Sequence, residues 1–241
     1  TSVLLSPPPP PLEHALAPPL VAVLDTGVDP AAPGLGQGAI AAGARSFLPG
    51  GTAATVDPQG HGTQVAQVVA QWAGGPGAVR ILPVAVADRE GSAGTSALVR
   101  GIRYAVARAA RVINVSFGGR GFSPIEQRAI DDAVRRGALV VVAAGNSGAS
   151  GPREFPGAYR QVLAVGALGE SGRPLGISVS GPQIALAAPG VDTRPGLHGG
   201  AVTRIGTSMA AAAVSGTAAR VLARRPRLTP HQLAALLAAT A

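Results

Sequence analysis

Short segments that are apolar at every position alternate along this chain with longer segments that are apolar only at every third or fourth. Leu20-Val21-Ala22-Val23-Leu24 is such a continuous run and stops at Asp25-Thr26-Gly27; similar runs occupy residues 81–86, 112–117, 139–144 and 162–165. Runs without polar alternation predict strands buried on both faces, the condition of parallel strands in a sheet covered by helices on each side. Between them, residues 95–109 place Leu98, Ile102, Ala105 and Val106 at i, i+4, i+7 and i+8, the stripe of a helix packed against a sheet. Ser123-Pro124-Ile125-Glu126 combines an N-cap, a first-turn proline and an acid three residues after the cap, with Gly137 at the far end, and Thr229-Pro230-His231-Gln232 repeats the start signal. Two more helices are expected, over residues 64–72 and in the Ala-rich stretch after Ser208. The alternation predicts an α/β fold with a mostly parallel central sheet and helices on both faces.

Composition narrows the picture. At 241 residues and 46% hydrophobic content the chain is long enough for one domain with a sizeable core. Arg, Pro and Gly break every apolar run before it could cross a bilayer, so no membrane span is expected. Five prolines from Pro7 to Pro11 predict a stiff, extended arm over residues 1–19, ahead of a domain over 20–241. The chain starts at Thr1 without the basic and apolar pattern of a secretory signal, and the natural N-terminus is expected to be missing or processed. The absence of cysteine excludes a disulfide framework, a thiolate nucleophile and a thiolate metal site.

Net charge is +8, and all 20 basic residues are arginine. A nucleic-acid partner would fit the charge alone, but the arginines are dispersed. The two tight groups, Arg135 with Arg136 and Arg224 with Arg225 and Arg227, fall at the ends of predicted helices, where positive charge complements the helix dipole. With 3% aromatic residues there are no platforms for base stacking either, so nucleic acid is not expected as a partner.

Candidate chemistry lies at the element ends. Asp25 and Asn146 follow strands, where open parallel sheets bind ligands. A serine hydroxyl becomes a nucleophile when a base takes its proton and a carboxylate orients that base. Asp25, His61 in Gly60-His61-Gly62-Thr63 and Ser208 in Gly206-Thr207-Ser208-Met209 could supply those groups. Singly, each has a plainer reading, as a turn former, a loop residue and a helix N-cap. Together, Val23-Leu24-Asp25-Thr26-Gly27-Val28, His61-Gly62-Thr63-Gln64-Val65-Ala66 and Gly206-Thr207-Ser208-Met209-Ala210 resemble the three signature segments of the subtilisin-like peptidases, the subtilases. The order Asp, His, Ser is also theirs. The resemblance runs from about Leu20 to about Leu222 and includes Ile113 to Gly119, Ala143-Ala144-Gly145-Asn146 and Ala188-Pro189-Gly190-Val191.

This resemblance implies a serine endopeptidase in which Ser208 attacks the scissile carbonyl, His61 is base and then acid, and Asp25 holds the imidazole. It implies that Asn146 and the Ser208 N–H form the oxyanion hole; the plainer reading of Asn146 is a left-handed turn residue. It implies that Ser116-Phe117-Gly118-Gly119 and Gly91-Ser92-Ala93-Gly94 pair with an extended substrate, against the alternative that both are turns. Aligning Phe155-Pro156-Gly157 with the family's aromatic-Pro-Gly segment puts Glu154 at the base of the S1 pocket, where it would favour Arg or Lys at P1; the alternative is a surface acid beside Arg153. The sequence departs from the family in having Ala212 and Ala213 where a Pro-His pair is usual, and Gln64 where a second His is common. The stretch from His61 to Ile81 is too short for the family's inserted calcium loop, and Asp29, Asp57, Asp88 and Asp192 are not spaced as calcium ligands, so neither a metal site nor a cofactor is nominated. Expected partners are a protein or peptide substrate and an inhibitory propeptide not present in this chain, and the expected location is secreted or cell-envelope associated. Rival readings of the same residues are a non-catalytic subtilase-fold peptide-binding protein and a peptide ligase or cyclase.

Overall fold

In a computed structural model the described residues are 2–3, 18–51, 53–195 and 200–240; the proline run Pro7 to Pro11 lies outside them. The continuous apolar segments form strands β2 (Leu20–Asp25), β4 (Arg80–Ala85), β5 (Val112–Val115), β6 (Leu139–Ala143) and β7 (Leu163–Leu168). With β8 (Ile184–Pro189) and the two-residue edge strands β1 (Ser2–Val3) and β3 (Arg45–Ser46), they build one sheet in the order β1-β8-β7-β6-β5-β2-β4-β3. Every pair in it is parallel.

Successive residues of β2 show why such a strand must be apolar throughout. Val21 and Val23 enter one core with helices α1 (His61–Ala73), α4 (Thr207–Arg224) and α5 (Pro230–Ala239). Ala22 and Leu24 enter the other core with α2 (Thr95–Ala107) and α3 (Pro124–Arg135). The fold is therefore α/β with helices on both faces of a parallel sheet. Helix α4 is deeply buried; Ala210, Ala211, Ala212 and Ala213 are at most 1% exposed. Their small side chains let the backbone lie close to the sheet, and the two positions that depart from the family pattern are simply packed core alanines.

Strand β2 has β4 on one side and β5 on the other. The chain leaves β2 for β4 through α1, then crosses to β5 through α2 and continues outward to β6. The carboxyl ends of β2 and β5 thus flank a topological switch point, the place where such sheets open a crevice. Between β8 and α4 the chain makes an antiparallel hairpin, β9 (Val191–Pro195) with β10 (Ala201–Ile205), that no apolar run predicted. Two local expectations change. Ser208 lies within the first turn of α4 rather than ahead of it. At α3 the Ser123 side chain caps Glu126 N, but the Ser123 N–H donates to Tyr159 Oη, so the Glu126 side chain does not return to the cap. At α5 the full reciprocal box between Thr229 and Gln232 forms.

Candidate active site

Asp25 closes β2 and is 2% exposed. Its Oδ1 accepts from His61 Nδ1 at 2.7 Å, Thr26 N at 2.8 Å and Thr26 Oγ1 at 3.3 Å, while Oδ2 has no partner among the described residues. His61 is the first residue of α1. A Cβ on Gly62 would collide with the Gly27 carbonyl oxygen and lie 2.9 Å from Asp25 Cβ, so glycine is what lets this helix start against the aspartate. With Nδ1 committed to Asp25, Nε2 is left as the free acceptor of the imidazole. Burial by itself lowers the His61 pKa; the Asp25 charge and hydrogen bond outweigh it, Arg204 opposes them and Asp57 adds to them, leaving the value raised above 6.5.

Behind this pair lies a second buried carboxylate. Asp57 is 5% exposed, and its Oδ1 accepts from Thr26 Oγ1 at 2.8 Å, Gly60 N at 2.9 Å and Gln59 N at 3.2 Å. Its Oδ2 accepts from Thr63 N at 2.7 Å and Thr63 Oγ1 at 2.6 Å. One carboxylate therefore caps the start of α1 and grips the residue that follows Asp25. The available signal was an Asp three residues before Gly60, the pattern of a side chain that closes a turn on the backbone ahead of it.

Ser208 is 8% exposed, and its Oγ donates to the Ser116 carbonyl at 2.9 Å rather than to His61. Ser116 follows β5, where buried Asn114 donates to Ser116 Oγ at 2.7 Å and accepts from Ser215 Oγ of α4 at 2.8 Å. These bonds tie the strand end to the helix that carries Ser208. The Ser208 N–H, one of the first-turn groups that a helix cannot satisfy itself, has no partner among the described residues.

Asn146 follows β6 by three residues and is exposed. Its Oδ1 accepts from Thr207 N at 2.9 Å and Thr207 Oγ1 at 3.1 Å, which fixes the amide and leaves its NH2 group without a partner among the described residues. It is not a left-handed turn residue: the positive φ angles of this loop belong to Gly145 and Gly148.

Of the residues expected to meet substrate, Phe117, Gly91 and Ser116 line a cleft of about 130 Å³ with Asp25 and His61. Gly91 and Ser92 form a turn on its rim, in which Gly91 N donates to Asp88 O at 3.0 Å and Ser92 N to Asp88 Oδ1 at 2.8 Å. Gly118 is exposed, and its backbone groups have no backbone partner among the described residues. Glu154 is half-buried, with its carboxylate packed on two glycines: a Cβ on Gly145 would lie 2.6 Å from Oε2, and one on Gly118 3.4 Å. Among the described residues it makes no ion pair, with Arg153 or any other cation.

The acids considered for calcium have other tasks. Asp192 accepts from Gln64 Nε2 at 2.8 Å and from Arg194 Nε at 2.9 Å, and Asp29 Oδ1 accepts from Ala31 N at 2.9 Å. Among the described residues no group of three His, Asp or Glu side chains converges as a metal ion would require, and no helix is long and apolar enough to cross a membrane.

Comparison with known proteins adds relatives to this geometry. The profile of the subtilase family matches residues 18–241. Subtilisin E of Bacillus subtilis (strain 168) is 36% identical over 231 residues, covering 92% of this chain and 60% of that protein. Subtilisin of Bacillus pumilus is 35% identical over 231 residues, covering 92% and 82%. Among solved structures, a cold adapted subtilisin-like serine proteinase superimposes with a TM-score of 0.82 at 32% identity, covering 91% of this chain and 81% of that one. Sphericase gives a TM-score of 0.82 at 28% identity, covering 94% and 84%. The chain spans about 60% of the length of several of these curated relatives, subtilisin E among them.

Proposed function

Because the chain belongs to the subtilase family, we propose that it is a serine endopeptidase, with Asp25, His61 and Ser208 as its triad. The observation that carries this reading is the 2.7 Å contact between His61 Nδ1 and buried Asp25, at the same switch-point crevice as a serine whose own N–H is unpaired.

A rotation of the Ser208 side chain between staggered positions releases Oγ from the Ser116 carbonyl toward His61 Nε2. His61 then takes the hydroxyl proton as Oγ bonds to the substrate carbonyl carbon. The Asp25 carboxylate, desolvated and already hydrogen-bonded, stabilises the imidazolium that forms. The new oxyanion accepts from Ser208 N–H and Asn146 Nδ2, and the start of α4 adds a favourable dipole. His61 returns its proton to the leaving amine, the peptide bond breaks, and water repeats the sequence on the acyl-enzyme. Substrate lies extended between Ser116-Phe117-Gly118 and the Gly91-Ser92 rim, with its P1 side chain toward Glu154. An unpaired carboxylate there favours Arg or Lys, because a counter-ion offsets the cost of holding charge away from water. By the same family reading the enzyme acts outside the cytoplasm, secreted or at the cell envelope.

The test is mass spectrometry after exposure to a fluorophosphonate probe, with Ser208→Ala as control. One adduct on Ser208, absent from the control, is expected; a folded protein that forms none would leave peptide binding without cleavage as the reading. Product masses separate hydrolysis from ligation or cyclisation. Asn146→Ala should lower kcat by about 100- to 1000-fold with KM little changed, the loss typical of one preorganised oxyanion donor. Glu154→Gln should abolish a preference for Arg over Leu at P1.

A further inference from the structure

Basic groups that stand apart along the chain meet at one end of the fold. The strands of the main sheet are parallel, so they start at the end opposite the cleft, and the helices that lead into them finish there. Arg80 is the first residue of β4, Arg135 lies in the last turn of α3, and Arg160 stands three residues before β7. Arg111, just ahead of β5, pins a further segment beside them. Its Nε donates to Gly137 O at 3.2 Å, between α3 and β6. Its Nη1 and Nη2 donate to Pro226 O at 2.8 Å and Leu228 O at 2.9 Å, between α4 and α5. One guanidinium thus brings Arg135 and Arg136 beside Arg224, Arg225 and Arg227. The depression between these segments measures about 670 Å³, and Arg111, Arg135, Arg227 and His231 line it.

Little at this end balances that charge. Of the described acids, Asp131 and Asp132 are the two found here; Asp132 pairs with Arg135 at 3.3 Å, and Asp131 accepts from Gln127. The others follow carboxyl ends of strands or surround the cleft, as Asp88, Glu90, Glu154 and Glu170 do. Arg80, Arg136, Arg160, Arg224, Arg225 and Arg227 are exposed and make no ion pair among the described residues. Burial and then the Arg224 charge hold the Arg220 guanidinium below its ordinary pKa, so the crowding is felt one turn inside α4. Helix dipoles explain part of the arrangement. Helices α2, α3 and α4 finish here with roughly half a negative charge each, which suits Arg135 and Arg224 in their last turns. Arg80, Arg160 and Arg227 lie in no helix and have no such role.

The extent of the face decides what it fits. From β7 to β4 it crosses five adjacent strands, about 19 Å at ordinary strand spacing, and the helix layers on both sides widen it. A single phosphate or carboxylate would fill only the depression and leave Arg160 and Arg80, at the two margins, unused. A specific protein partner would need an apolar centre to its contact. Yet the exposed large hydrophobic residues among those described, Val56, Phe122, Ile125, Ile177, Val202 and Ile205, lie elsewhere. Single-stranded nucleic acid would need exposed aromatic faces, and the one exposed aromatic residue, Phe122, precedes α3 at the cleft end.

We propose that this face is a docking surface for a bilayer rich in anionic lipid headgroups, on which the protein lies with its cleft turned away from the membrane. Guanidinium groups suit phosphate-bearing headgroups because their paired N–H donors match two oxygens. With no large apolar side chain to insert, attachment is peripheral and electrostatic, and each arginine near the surface adds about five-fold to binding. The surface is remote from the cleft, so the proposal stands whether or not the protein cleaves peptides.

The experiment uses the full chain carrying Ser208→Ala, which prevents self-digestion, and sedimentation with vesicles of phosphatidylcholine alone or with about one third phosphatidylglycerol. Binding is expected to the anionic vesicles only, at about 0.05 M salt, and is expected to vanish by about 0.5 M, where the Debye length falls below about 5 Å. Arg224→Gln, Arg225→Gln and Arg227→Gln combined should weaken it about 100-fold. The control removes the same net charge from exposed positions at the cleft end, Arg89→Gln, Arg153→Gln and Arg173→Gln, and should weaken binding less than about three-fold. If the first combination fails to fold, Arg80→Gln with Arg160→Gln, on separate segments, is read in the same way. Equal binding to phosphatidylcholine, or a loss in the cleft-end variant as large as in the other, overturns the proposal. So does binding of duplex DNA at the same salt without binding of anionic vesicles, which would make this a nucleic-acid face.

Discussion

Five hydrogen bonds converge on the Asp57 carboxylate, and three of its donors belong to Thr26, which follows Asp25, and Thr63, two residues after His61. Asp57→Asn would turn one acceptor oxygen into an NH2 group facing N–H and O–H donors, leaving buried donors unpaired at a cost of about 1–3 kcal/mol each. A lower melting temperature follows, and so does a displaced Asp25–His61 pair, with kcat expected to fall about 10- to 100-fold while KM changes little. The pH profile separates a positioning role from a purely structural one. The proposed base must be neutral, so activity is lost as pH falls through the His61 pKa, which is raised and puts that limb above the ordinary value of 6.5. Asp57 contributes to the raise, so the limb in Asp57→Asn should move to lower pH. Arg204 works in the opposite sense, and Arg204→Gln should move the limb to higher pH. Limbs that stay in place in both variants would show that neither charge reaches the imidazole.

At the scale of elements, what could be read from the sequence follows how completely each element is buried. Strands β2, β4, β5, β6 and β7 are apolar on both faces because each face meets a helix layer, and the helices show apolar stripes or caps. Strand β8 is a short Ala-rich run, Ile184-Ala185-Leu186-Ala187-Ala188-Pro189, with a mixed burial pattern, and it does not stand out from a loop. The β9–β10 hairpin buries almost nothing: four of the five residues of β10 are exposed, so hydrophobic periodicity has no signal to give. The proposed triad and Asn146 were legible through their local motifs, whereas the Thr26–Asp57 and Glu126–Tyr159 contacts join residues 30 or more apart, the latter at a cap that forms differently from its sequence signature. The hairpin is held by polar bonds instead of a core. Gln64 donates to Asp192 O and Oδ2, Arg194 pairs with Asp192 at 2.9 Å and also reaches Gln71 Oε1, and Arg204 donates to Gln59 O at 2.8 Å. Asp192→Ala should therefore raise amide hydrogen exchange across residues 191–195 and 201–205 by about ten-fold or more while α2 and α3 keep their protection, as expected of a locally opening unit. Uniformly faster exchange would instead mark the hairpin as part of the global core.

The whole molecule carries a net charge of +8, yet Glu154, proposed to receive the P1 side chain, is negative. These opposing influences act over different distances. A cationic peptide in solution meets the summed positive charge first, and that repulsion reaches as far as the Debye length, about 30 Å at 0.01 M salt and about 10 Å at 0.1 M. Inside the cleft the same peptide meets the half-buried Glu154 carboxylate at contact distance, where screening is weaker. Raising salt across this range therefore removes the opposing long-range term before it weakens the favourable contacts. For a peptide with Arg at P1, kcat/KM should rise about two- to five-fold between those concentrations, a neutral peptide should change little, and one with acidic flanks should lose activity. Sequence composition alone predicts the opposite preference, for acidic partners at every salt concentration, because it counts charges without placing them. Initial rates for the three peptides at matched pH separate the two pictures: a fall in kcat/KM for the Arg peptide with added salt would mean that the cleft carboxylate already dominates the field at long range.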